Sequence, residues 1–336
     1  MPNRLPLLLG AAALAVALIL LPHQLSFSQQ EVLVFLVINV LVVASYRLLT
    51  LTGEWSLGHV VMVGVGAYAS ALISKQFGVW VPLSMVLGAA VAGVVAFILS
   101  FPLFRMKGFY FLIGSFAAGE VIRLCWKKFR YPFGGPKGLK SIPGFPDITI
   151  GETTFAFWNA VNFYYLALIV VAVALVFLYR IEKSRLGLTF HALHWQDKLA
   201  ESVGVNAWRM RMTAFVAASF FAGLAGALQA HYLTTINPTM FDVEPMVYVL
   251  IWVIVGGTAT FYGPILGVVI LTVINEIVLR ELGVDQARPL FLGAILILSI
   301  LFLPKGLESL VPKIGGLWKR RNKDDGNSPG GETEKA

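Results

Sequence analysis

Ten apolar runs, most of them close to the ~20 residues a helix needs to cross a bilayer, leave this chain little choice of architecture. They lie at about 5–21, 32–50, 57–74, 80–104, 108–125, 163–180, 210–232, 245–257, 263–280 and 289–303. A soluble globule cannot cover so much apolar chain, and only 13% of the residues are charged against 57% hydrophobic. A transmembrane barrel would need segments of about 10 residues with alternating polarity, and no such alternation recurs. The expected fold is all-α: a polytopic transmembrane helix bundle of about ten spans with Gly-broken helices, over residues 1–312. A disordered cytoplasmic tail is expected at 313–336.

The first run follows Arg4 and covers Leu5 to Leu21. It is longer than the ~7–15 residues of a secretory signal core, and Ser26-Phe27-Ser28 is a poor cleavage site, so it reads as a retained span. The run at 245–257 is short and ends in Gly256-Gly257, so it either crosses or re-enters. Ten spans put both termini on one side. The segment after Leu303 holds Lys305, Lys313, Lys319, Arg320, Arg321 and Lys323, which with ten spans assigns both termini to the cytoplasm. The stretch 182–211 then falls inside, and 23–31 and 233–244, without Lys or Arg, fall outside. One loop breaks the charge rule: 126–140 holds Lys127, Lys128, Arg130, Lys137 and Lys140, yet parity places it outside.

Several function classes fall away on composition. The net charge of +8 gathers at span ends, as membrane topology requires, rather than on a face for nucleic acid. Cys125 is the only cysteine and the five histidines are scattered, so neither a disulfide nor a metal site is expected. No GxxxxGK[ST] phosphate loop occurs. The chain is therefore expected to be no enzyme, to hold no cofactor, and to take its energy from elsewhere.

The polar stretch Glu182 to Arg211 stands out against this background. It carries Lys183, Arg185, Lys198, Arg209 and Arg211, and it has the helical spacing and glycine break of a docking element. Glycine and other small residues recur every fourth position at Gly66, Ser70 and Ser74, at Gly88, Ala92 and Ala96, and at Ala222, Gly226 and Ala230. That spacing lets helix backbones approach closely where lipid provides no hydrophobic drive. Two further clusters, Gly53 to Gly58 and Gly256 to Pro264, set helix breakers and hydroxyls beside apolar helices. They read as interruptions lining a substrate path or as turns at the membrane surface. Glu120 and Arg123 are spaced to pair on one helix face, while Asn275 and Glu276 sit in a span with no base nearby in sequence. His59 reads equally as a path residue or a packing contact.

A set of colinear motifs resembles one family. They are Ser56-Leu-Gly-His59 with Gly66-Ala-Tyr68, Lys107-Gly-Phe-Tyr-Phe111 with Gly119-Glu-Val-Ile-Arg123, and Gly134-Gly-Pro-Lys-Gly-Leu139 with Ile142-Pro143. There follow Ser184-Arg-Leu-Gly187, Ala200-Glu-Ser-Val-Gly-Val205, Gly223-Leu-Ala-Gly-Ala227, Gly256-Gly257 with Gly263-Pro264, and Pro304-Lys-Gly-Leu307. Together they resemble the LivM-type membrane permeases of ATP-driven branched-chain amino acid importers.

The resemblance implies a permease subunit that works with a second permease, ABC ATPase subunits that use the ATP, and an external substrate-binding protein. It implies that Ala200 to Val205 is a coupling loop seated on the ATPase, with Asp197, Ala200, Glu201 and Gly204 as its docking residues. The two glycine breaks put forward Ser56, His59, Gly256, Gly257 and Thr258 as candidate residues of the translocation path. One departure bears on partner choice: Phe190 to Asp197 stands where the family carries an Arg-rich run with an acidic cluster. The alternative is a secondary transporter driven by an ion gradient, with Glu120 or Glu276 as the coupling carboxylate.

Overall fold

The computed structural model describes residues 17–150, 153–278, 288–303 and 306–309. Most of the first expected span and the whole 313–336 tail lie outside these residues. Eleven helices follow in chain order among them: α1 Phe27–Thr50, α2 His59–Phe77, α3 Val81–Leu103, α4 Phe109–Lys128, α5 Ala160–Lys183, α6 Arg185–Trp195, α7 Asp197–Ser202, α8 Ala207–Leu233, α9 Val243–Gly256, α10 Gly263–Val273 and α11 Arg288–Phe302. A short antiparallel hairpin, β1 Ile148–Ile150 with β2 Thr153–Phe155, lies between α4 and α5. The spans themselves are all helical.

Seven segments among the described residues are long and apolar enough to cross a membrane, and α10 and α11 are shorter apolar helices. The short run at 245–257 resolves into a longer unit: a 3-10 turn at Pro238–Phe241 leads into α9, and the span runs Pro238–Gly256. The run at 263–280 is not one regular helix, because α10 passes into a π-helical turn at Ile274–Val278.

Helix starts follow local chemistry. The side chains of Asn159, Ser184, Asn206 and Asp242 each accept a hydrogen bond from a backbone N–H in the first turn of α5, α6, α8 and α9. Each satisfies a donor that a helix start otherwise leaves open. α10 begins with Pro264 in its first turn, where a missing N–H costs nothing.

α2, α3 and α8 form the tightest part of the bundle. A Cβ at Gly66 of α2 would fall on the backbone of Gly223 in α8, and one at Gly88 of α3 would press on Gly66 and Ser70. Side chains at these crossings would force the helices apart, so the small-residue spacing is realised as backbone contact. Ser70, Ser84 and His231 meet in the same region. Ser70 Oγ lies 2.8 Å from His231 Nε2 and 3.2 Å from Ser84 Oγ, and His231 Nδ1 lies 2.7 Å from the Pro143 carbonyl.

The two ends of the bundle are distinct. The Leu139 N–H donates to the Ile236 carbonyl and the Ile142 N–H to that of Thr234, so the 134–142 loop covers the C-terminal end of α8. α6 and α7 lie at the other end, where α1 stops and α8 begins, with His194 Nδ1 3.2 Å from the Thr50 carbonyl.

Candidate functional site

The polar stretch folds as two short helices. Ser184 caps α6, the chain turns at Gln196, and α7 runs six residues to Ser202. The stop has a specific geometry: the Gly204 N–H donates to the Glu201 carbonyl at 3.0 Å and the Val205 N–H to the Ala200 carbonyl at 3.1 Å. This is the paired closure of a Schellman motif, which needs a left-handed residue just past the helix. Gly204 supplies it with φ +89°. Apolar packing of Val205 against the Leu193, Ala200 and Ala207 cluster completes the motif.

The four expected docking residues divide by role. Ala200 is buried, 5% exposed, in that small cluster. Asp197 faces the bundle, accepting from Arg211 Nη2 at 2.8 and 2.7 Å, with Lys107 Nζ 3.8 Å away. Glu201 and Gly204 face solvent. The outward surface also carries Trp195, Leu199 and Val203, which are exposed at four-residue spacing. Their character was hidden in the sequence, where apolar residues beside a short helix suggest burial.

Arg211 joins this element to the bundle. Besides holding Asp197, its Nε lies 3.1 Å from Glu54 Oε1. Glu54 belongs to the buried connector between α1 and α2, residues 51–58, in which Thr52 and Ser56 are also buried. Burial pushes the Glu54 carboxyl above the usual carboxylate range, and the Arg211 charge opposes that rise. The pairing of Glu54 with Arg211 is not visible in the sequence, because it connects positions far apart in the chain.

Ser56 and His59 secure the same connector. The Ser56 N–H donates to Tyr46 Oη at 3.0 Å, Ser56 Oγ accepts from the Gly58 N–H at 3.2 Å, and the Leu57 N–H donates to Ser115 Oγ at 3.1 Å. His59 Nε2 lies 3.0 Å from Ser45 Oγ. Non-helical backbone buried in protein needs such partners.

Gly256, Gly257 and Thr258 begin the second break. The Thr258 carbonyl accepts from Arg47 Nη1 at 2.7 Å. Glu308 accepts from the Ala259 and Thr260 N–H groups at 2.6 and 2.7 Å. Gly257, with φ +102°, leaves no room for a side chain beside Glu308. Arg47, 1% exposed, also grips Glu182 through Nε and Nη2, both at 2.8 Å.

A cavity of about 570 Å³ lies between α1, α8, α9, α10 and the π turn, on the side away from α6 and α7. Its polar lining is Asn39, Gln229, Glu244, Tyr248, Thr272, Asn275 and Glu276. Ser56, His59, Gly256, Gly257 and Thr258 are not among its lining residues, whereas Glu276 is. Glu120 lies elsewhere: its carboxylate pairs with Arg123 of the same helix, as the spacing leads one to expect, and Arg123 Nη1 also reaches Asp242 at 3.0 Å.

High-affinity branched-chain amino acid transport system permease proteins LivM of Salmonella typhimurium and Escherichia coli are 29% and 27% identical to this chain over 275 residues. Each match covers 76% of this chain and 64% of the relative, so the chain spans somewhat under two thirds of those proteins. No solved structure matches significantly. The model of the family described as branched-chain amino acid transport system, permease component, matches residues 7–300, and the chain belongs to that family.

Proposed function

We propose that this chain is the transmembrane permease subunit of an ATP-driven importer of branched-chain or related amino acids. It forms part of the translocation path and couples it to a separate ATPase. The observation that carries this reading is the Schellman-capped α6 and α7 element, bound through Asp197, Arg211 and Glu54 to the connector that opens α2. A docking helix fixed to a transmembrane helix by buried charge can pass a movement of its partner into the bundle. The exposed Trp195, Leu199 and Val203 give that partner an apolar contact.

ATP is used by the partner subunits, a second permease completes the path, and an external binding protein delivers substrate. The chain sits in the bacterial inner membrane with about ten spans, both termini and α6 and α7 on the cytoplasmic side. A cysteine at Gln196 and one at Lys140, each in a Cys125→Ser background, are expected to label from opposite sides of the membrane. Labelling from a single side removes this topology.

The energy source is tested by reconstitution. The chain alone in liposomes, under a proton or sodium gradient, is expected to move no amino acid. Uptake is expected only when the partner permease, ATPases, binding protein and ATP are present, because alternating access needs a ligand with different affinity for the two states. Gradient-driven uptake by the isolated chain, lost on neutralising Glu276, establishes the secondary carrier instead.

A further inference from the structure

We propose that the end of α4 and the loop after it form a headgroup site for an anionic phospholipid, built from Lys127, Lys128 and Arg130. The site lies at the bundle end away from α6 and α7, and it stands whether or not the importer reading does. Lys127, Lys128, Arg130, Lys137 and Lys140 are all exposed. None of the five forms an ion pair among the described residues, where the paired cations are Arg47, Lys107, Arg123 and Arg211. The dipole of α4 accounts for Lys127 and Lys128 in its last turn. It does not account for Arg130, Lys137 and Lys140, which the proposed topology sets outside, where short loops ordinarily avoid Lys and Arg.

The surroundings put these charges at headgroup depth. α4 is the least buried of the seven spans, and Val121, Leu124 and Cys125 are exposed on one of its faces. Lys128 continues that face one turn further on, so its stem extends a lipid-facing stripe while its ammonium reaches water. Trp80, Tyr131 and Trp158 are 65%, 83% and 85% exposed at the same bundle end, and exposed Trp and Tyr rings collect where bilayer meets water. A soluble acidic partner would approach along the membrane normal. Lys128 sits on the flank that faces acyl chains, which favours a lipid.

The loop is held in shape. The Gly134 N–H donates to the Arg130 carbonyl at 2.7 Å, and a Cβ at Gly135 would lie 3.2 Å from Arg130 Cγ and 3.6 Å from the Lys127 carbonyl oxygen. The chain therefore folds back over the end of α4. Leu139 and Ile236 exchange both backbone hydrogen bonds, at 2.8 and 3.0 Å, which ties the loop to the segment after α8. Cations on a fixed loop lose less freedom on meeting a phosphodiester than cations on a flexible tail, and the Arg130 guanidinium can engage two of its oxygens.

The test uses the full-length chain in phosphatidylcholine vesicles, labelled at Cys125 with a bimane. Quenching by phosphatidylglycerol with a spin-labelled acyl chain is compared with quenching by phosphatidylcholine labelled in the same way, at equal mole fraction, which reports the lipids beside the last turn of α4. Phosphatidylglycerol is expected to be preferred about fivefold or more at low ionic strength, the effect of one Lys or Arg near an anionic surface, and the preference should shrink as salt rises. Lys127→Gln, Lys128→Gln and Arg130→Gln together should remove it, whereas Lys127→Arg and Lys128→Arg with Arg130→Lys should keep it. Lys183→Gln with Arg185→Gln, at the opposite bundle end, should leave it unchanged. Leu124→Cys in a Cys125→Ser background carries the label if Cys125 does not react.

Equal quenching by the two lipids in the unsubstituted chain, or a preference that survives the three Gln changes, overturns the site. So does displacement of the lipid by inorganic phosphate at an ionic strength where chloride leaves it bound. Equal quenching, with uptake by the assembled complex that falls on the three Gln changes, assigns the patch to an acidic protein partner instead.

Discussion

Arg47→Met is expected to remove most folded protein from the membrane. Arg47 is 1% exposed at the end of α1, and its guanidinium joins three segments distant in sequence. Nε and Nη2 donate to the two oxygens of Glu182 at the end of α5, and Nη1 donates to the Thr258 carbonyl after α9. Without Arg47 the Glu182 carboxylate is left buried and unpaired. Breaking a buried pair on one side costs about 3–5 kcal/mol, a large part of a stability of roughly 5–15 kcal/mol.

Lysine does not substitute, because an ammonium cannot present the planar fork that engages both oxygens and a carbonyl together. Arg47→Met combined with Glu182→Met should be milder than either single change, since an apolar pair replaces the charges and only the Thr258 carbonyl loses its partner. Thermal unfolding of the detergent-solubilised protein, followed by the loss of its monodisperse peak, measures both. A single variant as stable as wild type sinks the assignment.

Seven of the ten expected spans appear as long apolar helices among the described residues, and they were legible because lipid imposes a length and a composition on them. The run at 80–104 corresponds to α3 at Val81–Leu103, and Trp80, Gly78 and Phe104 bound it much as turn chemistry suggests. The π turn was not legible, because Ile274 and Val278 continue the apolar run and a change of hydrogen-bond register leaves no trace in composition. The hairpin at 148–155 was missed for a related reason: strands of three residues are too short for alternation to register.

The site divides along the same line. Gly204 was readable, since a glycine after a short polar helix has one common structural use, and its φ of +89° fits that use. The pairing of Glu120 with Arg123 was readable from three-residue spacing. Contacts across the chain were not: Arg211 with Glu54, Arg47 with Glu182, and the meeting of Glu244 with Glu276 around one cavity depend on tertiary packing. Ser56 and Thr258 stood out as polar breaks in apolar sequence, and the structure places both in backbone networks.

Arg211→Gln is expected to cut ATP-driven uptake by roughly 5- to 150-fold, the span of typical coupling energies of about 1–3 kcal/mol, while leaving the folded protein in the membrane. Arg211 is the group that holds α7, the proposed docking helix, through Asp197, and the α1–α2 connector, through Glu54. Without it the docking helix can shift on its partner while α2, which contributes Val60 and Val63 to the cavity wall, stays where it is.

Folding survives for a reason visible at the site. Burial already raises the Glu54 carboxyl, so loss of the opposing cation lets it take up a proton in place of standing as a buried charge. Asp197 is partly exposed and can hydrate. The control is Lys107→Ala. Its ammonium is 3.8 Å from Asp197 with a side chain 67% exposed, and exposed pairs contribute only about 0–1 kcal/mol. Uptake by the full complex at matched membrane content should therefore be near wild type for Lys107→Ala and severely reduced for Arg211→Gln. Equal uptake in the two variants means that Arg211 serves the fold alone and removes its part in the proposed coupling.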